Sequence, residues 1–239
     1  MDELNALLEV LYYSSYCLVA VGAIISLIAS LSVNLTFKHY ANVRNRNGYT
    51  SNQVVAMMLS EAGIRDVKIE RVRGLLTDHY APSTKTLRLS ESVYGSNSVA
   101  AIGVAAHECG HAIQHNKKFL PLVLRNVAVP VANIGSKLSW PVIILGLVLG
   151  FKGLAEIGIL LFVGVIIFQI ITLPVEFDAS FRALRILKKR NILVGDENTK
   201  ARRVLFAAAS TYVAAVITSV LQLLRLIAIV GGRGGRRRR

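Results

Sequence analysis

Val10-Leu11-Tyr12-Tyr13-Ser14-Ser15-Tyr16-Cys17-Leu18-Val19-Ala20-Val21-Gly22-Ala23-Ile24-Ile25-Ser26-Leu27-Ile28-Ala29-Ser30-Leu31-Ser32-Val33-Asn34-Leu35-Thr36-Phe37 carries no charge for 28 residues and closes at Lys38. A helix crosses the hydrocarbon of a bilayer with about 20 residues, so this stretch reads as a transmembrane helix and the chain as a membrane protein. A cleaved signal peptide would open with basic residues and end at a small-residue site. The chain instead begins Met1-Asp2-Glu3 and its apolar run is too long, so residues 10–37 are expected to remain as an N-terminal anchor.

Composition agrees. Of 239 residues 53% are hydrophobic and only 18% charged, which excludes a disordered chain, and two cysteines, Cys17 and Cys109, cannot build a disulfide framework. The 28 Lys and Arg against 14 Asp and Glu give a net charge of +14, which by itself would suit nucleic acid or anionic lipid. In a membrane protein such an excess reports cytoplasmic loops, so nucleic acid is not an expected partner.

Two further apolar stretches, 127–151 and 157–175, are joined only by Lys152-Gly153-Leu154-Ala155-Glu156 and predict a helical hairpin over 127–175, with Lys137 snorkelling to the head groups. A fourth, 204–224 within an apolar helix 204–230, is rich in Ala, Ser and Thr and runs into Arg225; it either spans or packs on a soluble module. Residues 38–126 carry 12 bases against 6 acids and residues 174–203 carry 8 against 4, which places both in the cytoplasm. If the fourth stretch crossed, Arg233 and Arg236 to Arg239 of the basic tail 231–239 would lie outside, so charge counting favours three spans over four. Beside a membrane the tail could touch anionic lipid.

Residues 38–126 are long enough for a small mixed α/β unit. Thr50-Ser51-Asn52-Gln53 has the form of a capping box, with Val54, Val55, Met58 and Leu59 at helical spacing and Gly63 as a stop. Val67 and Ile69, the run 74–80 and residues 86–90 read as two or three short strands with a hairpin at Pro82-Ser83. Ser96-Asn97-Ser98 then caps a long helix from Val99 to about Asn116.

That helix contains His107-Glu108-Cys109-Gly110-His111, the HExxH pattern. Residues four apart share a helix face, so both imidazoles can ligate one Zn²⁺, while Glu108, offset by about 100°, borders the metal as general base. Zinc polarises a scissile carbonyl and lowers the pKa of water towards ~7, and the carboxylate takes the proton and returns it to the leaving amine. A catalytic zinc takes three protein ligands, a structural one four. A metzincin would place a histidine at position 117, but Lys117 stands there; His115 sits too far along a straight helix to share the ion easily, and neither cysteine suits a ligand role. Glu176, just past Pro174, reads either as an acid complementing the dipole of a helix that starts at the proline, spanning 174–203, or as a metal ligand brought back by the hairpin. On the second reading Asp178 would orient a ligand histidine.

The residues 105–114 (Ala-Ala-His-Glu-Cys-Gly-His-Ala-Ile-Gln), Leu76-Thr77-Asp78-His79-Tyr80, Leu89-Ser90 and Glu176-Phe177-Asp178-Ala179-Ser180 together resemble the bacterial neutral zinc metallopeptidases, the YugP-like membrane proteins, over nearly the whole chain. They are similar, more distantly, to the HtpX-type membrane proteases, in which a glutamate after the second hydrophobic hairpin completes a gluzincin site. The resemblance implies metal ligands His107, His111 and Glu176, with Glu108 catalytic. Two positions depart from it: Ala81 stands where an Asp is expected, and Ser180 where the HtpX-type pattern has a second acid.

The expectation is therefore an α+β membrane protein, mainly helical, with three or four transmembrane helices and a small zincin-like cytoplasmic catalytic module. Its function would be a membrane-anchored zinc endopeptidase acting on protein or peptide substrates, with a strand over 75–80 holding an extended substrate and His79 or Tyr80 donating to the oxyanion. Two alternatives compete. An intramembrane site-2-type protease would bury the motif in a span, against which stands Asn116-Lys117-Lys118 directly after it. A non-catalytic scaffold with structural zinc and a lipid-binding basic surface would need a fourth ligand, for which His115 and His79 are the candidates.

Overall fold

A computed structural model describes residues 15–236; residues 10–14 of the expected anchor and 237–239 of the tail lie outside the described residues. The elements in order are α1 (Ser15–Ala41), α2 (Ser51–Glu61), β1 (Lys68–Val72), β2 (His79–Ala81), β3 (Thr86–Ser90), α3 (Val99–Asn116), α4 (Leu120–Val148), α5 (Lys152–Lys189) and α6 (Glu197–Arg236). The chain is mainly helical with one small mixed sheet. Its contacts divide it into two compact units, one made of residues up to Ile28, Leu124–Thr172 and the chain from Tyr212, the other of Ala29–Val123 and Leu173–Thr211.

The second unit holds the α/β elements. Its first helix starts at the expected capping box: the Thr50 hydroxyl accepts from the Gln53 amide at 3.4 Å and the Gln53 side chain accepts from the Thr50 amide at 2.9 Å. Helix α2 buries Val54, Val55 and Met58 and ends before Gly63, whose φ of +71° closes the helix at little steric cost. In the sheet β3 is central, parallel to β1 and antiparallel to β2, with Tyr80 opposite Leu87. Leu87 and Leu89 point into the core shared with α3, and β2 is an edge. Its entry is pinned by Asp78, whose carboxylate accepts from the Ser90 amide at 2.7 Å and the Ser90 hydroxyl at 2.8 Å. Of the expected run 74–80 only His79 and Tyr80 join a strand, which continues to Ala81, because Gly74 and Leu76 take positive φ and bend the chain before Asp78.

Helix α3 is capped by Ser98, whose hydroxyl accepts from the Ala101 amide at 3.2 Å. Its Ala and Gly residues let other helices approach its axis closely. At Gly103 a methyl group would meet the Ala201 Cβ at 3.5 Å, an ordinary contact, but at Gly110 it would lie 2.6 Å from the Ala179 carbonyl oxygen. Glycine is required at 110 because α3 and α5 touch there backbone to backbone.

Among the described residues four helices are long and apolar enough to cross a membrane: Tyr16–Ala41, Leu120–Val148, Lys152–Lys189 and Glu197–Gly231. The first three leave Ile28, Leu35, Val127 and Leu160 more than half exposed, and the fourth leaves Ile227 45% exposed, which suits lipid and not water. The fourth stretch is thus a full-length helix, where charge counting had favoured three spans. Its Ala, Ser and Thr content has a packing reason: a Cβ at Gly22 would touch Thr218 Cγ2 at 3.1 Å, and Ser26 and Thr218 share a hydroxyl hydrogen bond at 3.0 Å. The hairpin of α4 and α5 turns at Gly150, with φ of +67°, a few residues earlier than the charge pattern placed it.

Three boundaries differ from the sequence reading. Pro174 does not start a helix; α5 runs through it without a break, as apolar helices tolerate when neighbours and local adjustment accommodate the lost hydrogen bond. The expected helix 174–203 is accordingly the end of α5, a loop, and the beginning of α6. The compact unit around the motif is also not the continuous stretch 38–126, since it recruits Leu173–Thr211.

Candidate metal centre

His107 and His111 lie on one face of α3, one turn apart, with ring centroids separated by 4.7 Å and planes at 83°. Glu176 of α5 faces them. Its Oε2 stands 3.4 Å from His107 Nε2 and 3.6 Å from His111 Nε2, and the donor atoms of all three residues lie within 4.8 Å of one another. Glu176 is 3% exposed and its Oε2 has no hydrogen-bond partner. A buried carboxylate oxygen without a partner is costly, and the missing partner here has a definite shape. Tetrahedral ligands at about 2.0–2.1 Å from zinc lie about 3.3–3.4 Å apart, close to the separations seen, so the donor set fits a Zn²⁺ ion.

Hydrogen bonds behind the ligands fix which imidazole nitrogen faces the centre. The Gln114 side chain donates through Nε2 to the Val175 carbonyl and to Asp178 Oδ2, both at 2.8 Å. Both partners only accept, which fixes the orientation of the amide. Its Oε1 therefore faces His111 Nδ1 at 3.0 Å and can only accept, so Nδ1 carries the proton and Nε2 presents its lone pair to Glu176 and any shared cation. On the other ring, His107 Nδ1 lies 3.0 Å from the Ser180 hydroxyl. Arg182 donates to Asp178 at 2.5 Å and stacks 5.4 Å from the Phe119 ring centroid, holding that carboxylate in place.

Electrostatics follow the geometry. Burial opposes a charged His111, but Glu176 and Glu108 outweigh it, so positive charge at His111 Nε2 is favoured whether it comes as a proton or as a shared metal ion. The site thus attracts positive charge. Cys109, on the opposite side of α3, is buried, and burial pushes its thiol up, which makes it a poor ligand.

Glu108 accepts from the Tyr80 backbone amide through Oε2 at 3.0 Å, leaving Oε1 without that tether. The edge strand β2 thus holds the motif carboxylate directly. Tyr80 also places its phenol 2.9 Å from His115 Nδ1, one turn beyond His111. His79 does not join the group: it is exposed, with Nδ1 2.8 Å from the Thr77 carbonyl. Asp178 reaches a ligand histidine only through Gln114, a residue the sequence reading quoted but gave no role. Ser180, there a departure from a pattern, is the partner of His107. Its hydroxyl can do at this ring what the Gln114 carbonyl does at the other. Among the described residues no fourth His, Cys, Asp or Glu joins the three.

The chain thus has helices of membrane length and a three-donor cluster, two of whose donors belong to the HExxH motif. The chain belongs to the family described as putative neutral zinc metallopeptidase, which matches residues 15–231. It is 42% identical over 201 residues, 84% of this chain and 89% of the relative, to a protein of Bacillus subtilis (strain 168) named putative membrane protease YugP. No solved structure matches it.

Proposed function

We propose that this chain is a membrane-anchored zinc endopeptidase with its active site on the cytoplasmic side, hydrolysing peptide bonds of membrane-associated or cytoplasm-facing proteins. The observation that carries the reading is the buried, unpartnered Glu176 Oε2 aimed at His107 Nε2 and His111 Nε2. Family membership supports the reaction class, and the basic balance of residues 38–126 and 174–203 supports the orientation.

His107, His111 and Glu176 would hold the ion, a gluzincin donor set, and leave a position for water and substrate. When bound, zinc supplies Lewis acidity and lowers the pKa of water. Glu108 Oε2 is tethered to Tyr80, so Oε1 is the atom that takes a proton and returns it to the leaving amine. In β2 the amides of His79 and Ala81 face β3, and those of Tyr80 face outward. With its N–H given to Glu108, Tyr80 offers an extended substrate its carbonyl, a shorter edge than the run 75–80 promised. Burial raises the Tyr80 phenol, which keeps it protonated, and the Tyr80 and His115 pair, one turn beyond His111, would donate to a developing oxyanion.

Purified protein should contain one zinc per chain and cleave an unfolded protein substrate. The Glu108→Gln variant should keep the zinc and lose turnover by a factor of about 10² or more. Wild-type turnover in that variant would remove Glu108 from catalysis. A structural-zinc scaffold predicts no turnover in either form.

A further inference from the structure

A second site lies apart from the metal donors, where α1 and α6 run side by side. A groove of about 590 Å³ is lined by Leu35, His39 and Tyr40 of α1 and by Arg203, Phe206 and Ser210 of α6, among others. Its position along the helices is set by charge. The charge-free run of α1 ends at Phe37 and is followed by Lys38 and His39, while Arg202 and Arg203 are the last charges of α6 before the apolar run from Val204. Both helices thus emerge from hydrocarbon at the level of Arg203, and the groove straddles the head-group layer.

The lining has two chemistries. At one end Arg203 is exposed, donates one bond to the Tyr40 hydroxyl at 2.9 Å, and has no carboxylate within ion-pair distance among the described residues. No acid lines the groove, and Lys38 and Arg202 flank it. At the other end are Leu35, 64% exposed, and Phe206, 46% exposed, with Ala207 next along α6. A guanidinium is a planar donor matched to phosphate oxygens, and two exposed apolar side chains continuing into the hydrocarbon are matched to an acyl chain.

We propose that this groove binds one anionic phospholipid, its phosphodiester on Arg203 and one acyl chain along Leu35 and Phe206. The phosphate answers the uncompensated cation and the chain covers the apolar face. The neighbouring Lys38 and Arg202, outside the lining, add a diffuse positive field that favours a lipid with net negative charge over a zwitterion. Nothing in this site depends on zinc or on proteolysis.

The test exchanges the full-length protein into detergent micelles containing phosphatidylglycerol and phosphatidylcholine, washes with lipid-free detergent, and measures the phospholipid retained per chain. Wild type should retain close to one phosphatidylglycerol. Arg203→Gln, which can keep a hydrogen bond to Tyr40 while losing the charge, should retain about tenfold less, as expected for one charge-assisted phosphate contact. Phe206→Ala should also lose retention, and Arg202→Ala, outside the lining, should lose little. Thermal unfolding of each variant shows that the fold is intact. Equal retention by Arg203→Gln, equal retention of phosphatidylcholine, or an equal loss in Arg202→Ala would overturn the proposal, the last by showing only diffuse surface charge. Displacement of the lipid by glycerol phosphate at equal concentration would overturn the acyl-chain part and leave a simple anion site.

Discussion

Replacing Gly110 by alanine adds one methyl group to the side of α3 that meets α5. In isolation the change is favourable, since alanine stabilises a helix interior by about 1 kcal/mol relative to glycine. Here the new Cβ would lie 2.6 Å from the Ala179 carbonyl oxygen and 3.1 Å from the Ala179 carbonyl carbon and Cα, all main-chain atoms that cannot swing aside. Restoring an ordinary contact near 3.4 Å requires the helices to part locally by about 0.8 Å, at the ~1–3 kcal/mol typical of overpacking. Gly110 adjoins His111, and Ala179 lies one turn from Glu176, so the same displacement opens the 3.4 and 3.6 Å separations across which a zinc ion would be shared. Those distances would approach or exceed 4 Å, beyond the about 3.3–3.4 Å expected between tetrahedral zinc ligands. The expected outcome is a loss of zinc affinity of about 10–100-fold, the range seen when the support of a metal ligand is disturbed. Competition with a chromophoric chelator measures it, with circular dichroism to show that helix content persists. Gly103→Ala is the control, because its Cβ meets Ala201 at an ordinary 3.5 Å. Wild-type zinc affinity in Gly110→Ala, or an equal loss in the control, would refute the reasoning.

Gln114→Leu, nearly isosteric, removes the acceptor that fixes the His111 tautomer, takes the side-chain donor from Val175 and leaves Asp178 to Arg182 alone; zinc affinity should fall about tenfold or more by chelator competition. Unchanged affinity would show that the amide only fills space. Tyr80→Phe retains the backbone bond to Glu108 and should lower kcat by about 10–10³-fold with zinc content unchanged if the phenol serves the oxyanion. An unaltered rate would leave the Tyr80 and His115 pair a structural role. Cysteines placed at exposed Ser83 and Thr199 should both resist an impermeant thiol reagent in intact cells and react after lysis; labelling from outside would reverse the topology.

Much of the centre was legible because helix geometry converts spacing into proximity: the interval between His107 and His111 fixes a shared face whatever surrounds it. The capping box at Thr50 and the hairpin at Pro82 were equally local. Glu176 was legible only as one of two readings, since its position against α3 depends on the return of α5 and on the Gly110 contact, neither of which has a sequence period. Gln114 was missed for a different reason. Three residues past His111 it occupies an ordinary helical position, and its role appears only when Val175 and Asp178 arrive from another helix. The proline rule failed at Pro174 because it describes helices in water, where a broken turn can be hydrated, and an apolar helix has no such outlet.

The donor cluster is split along the chain: His107 and His111 precede the α4–α5 hairpin, and Glu176 follows its second apolar run. A ribosome delivers the motif helix first and must then place two long apolar helices before the third donor exists. Until that hairpin is in place, the nascent chain has two histidines on a helix and no complete ion-binding set. Completion of the donor set is therefore a late event of synthesis, and a chain stalled before the end of the hairpin lacks its third donor.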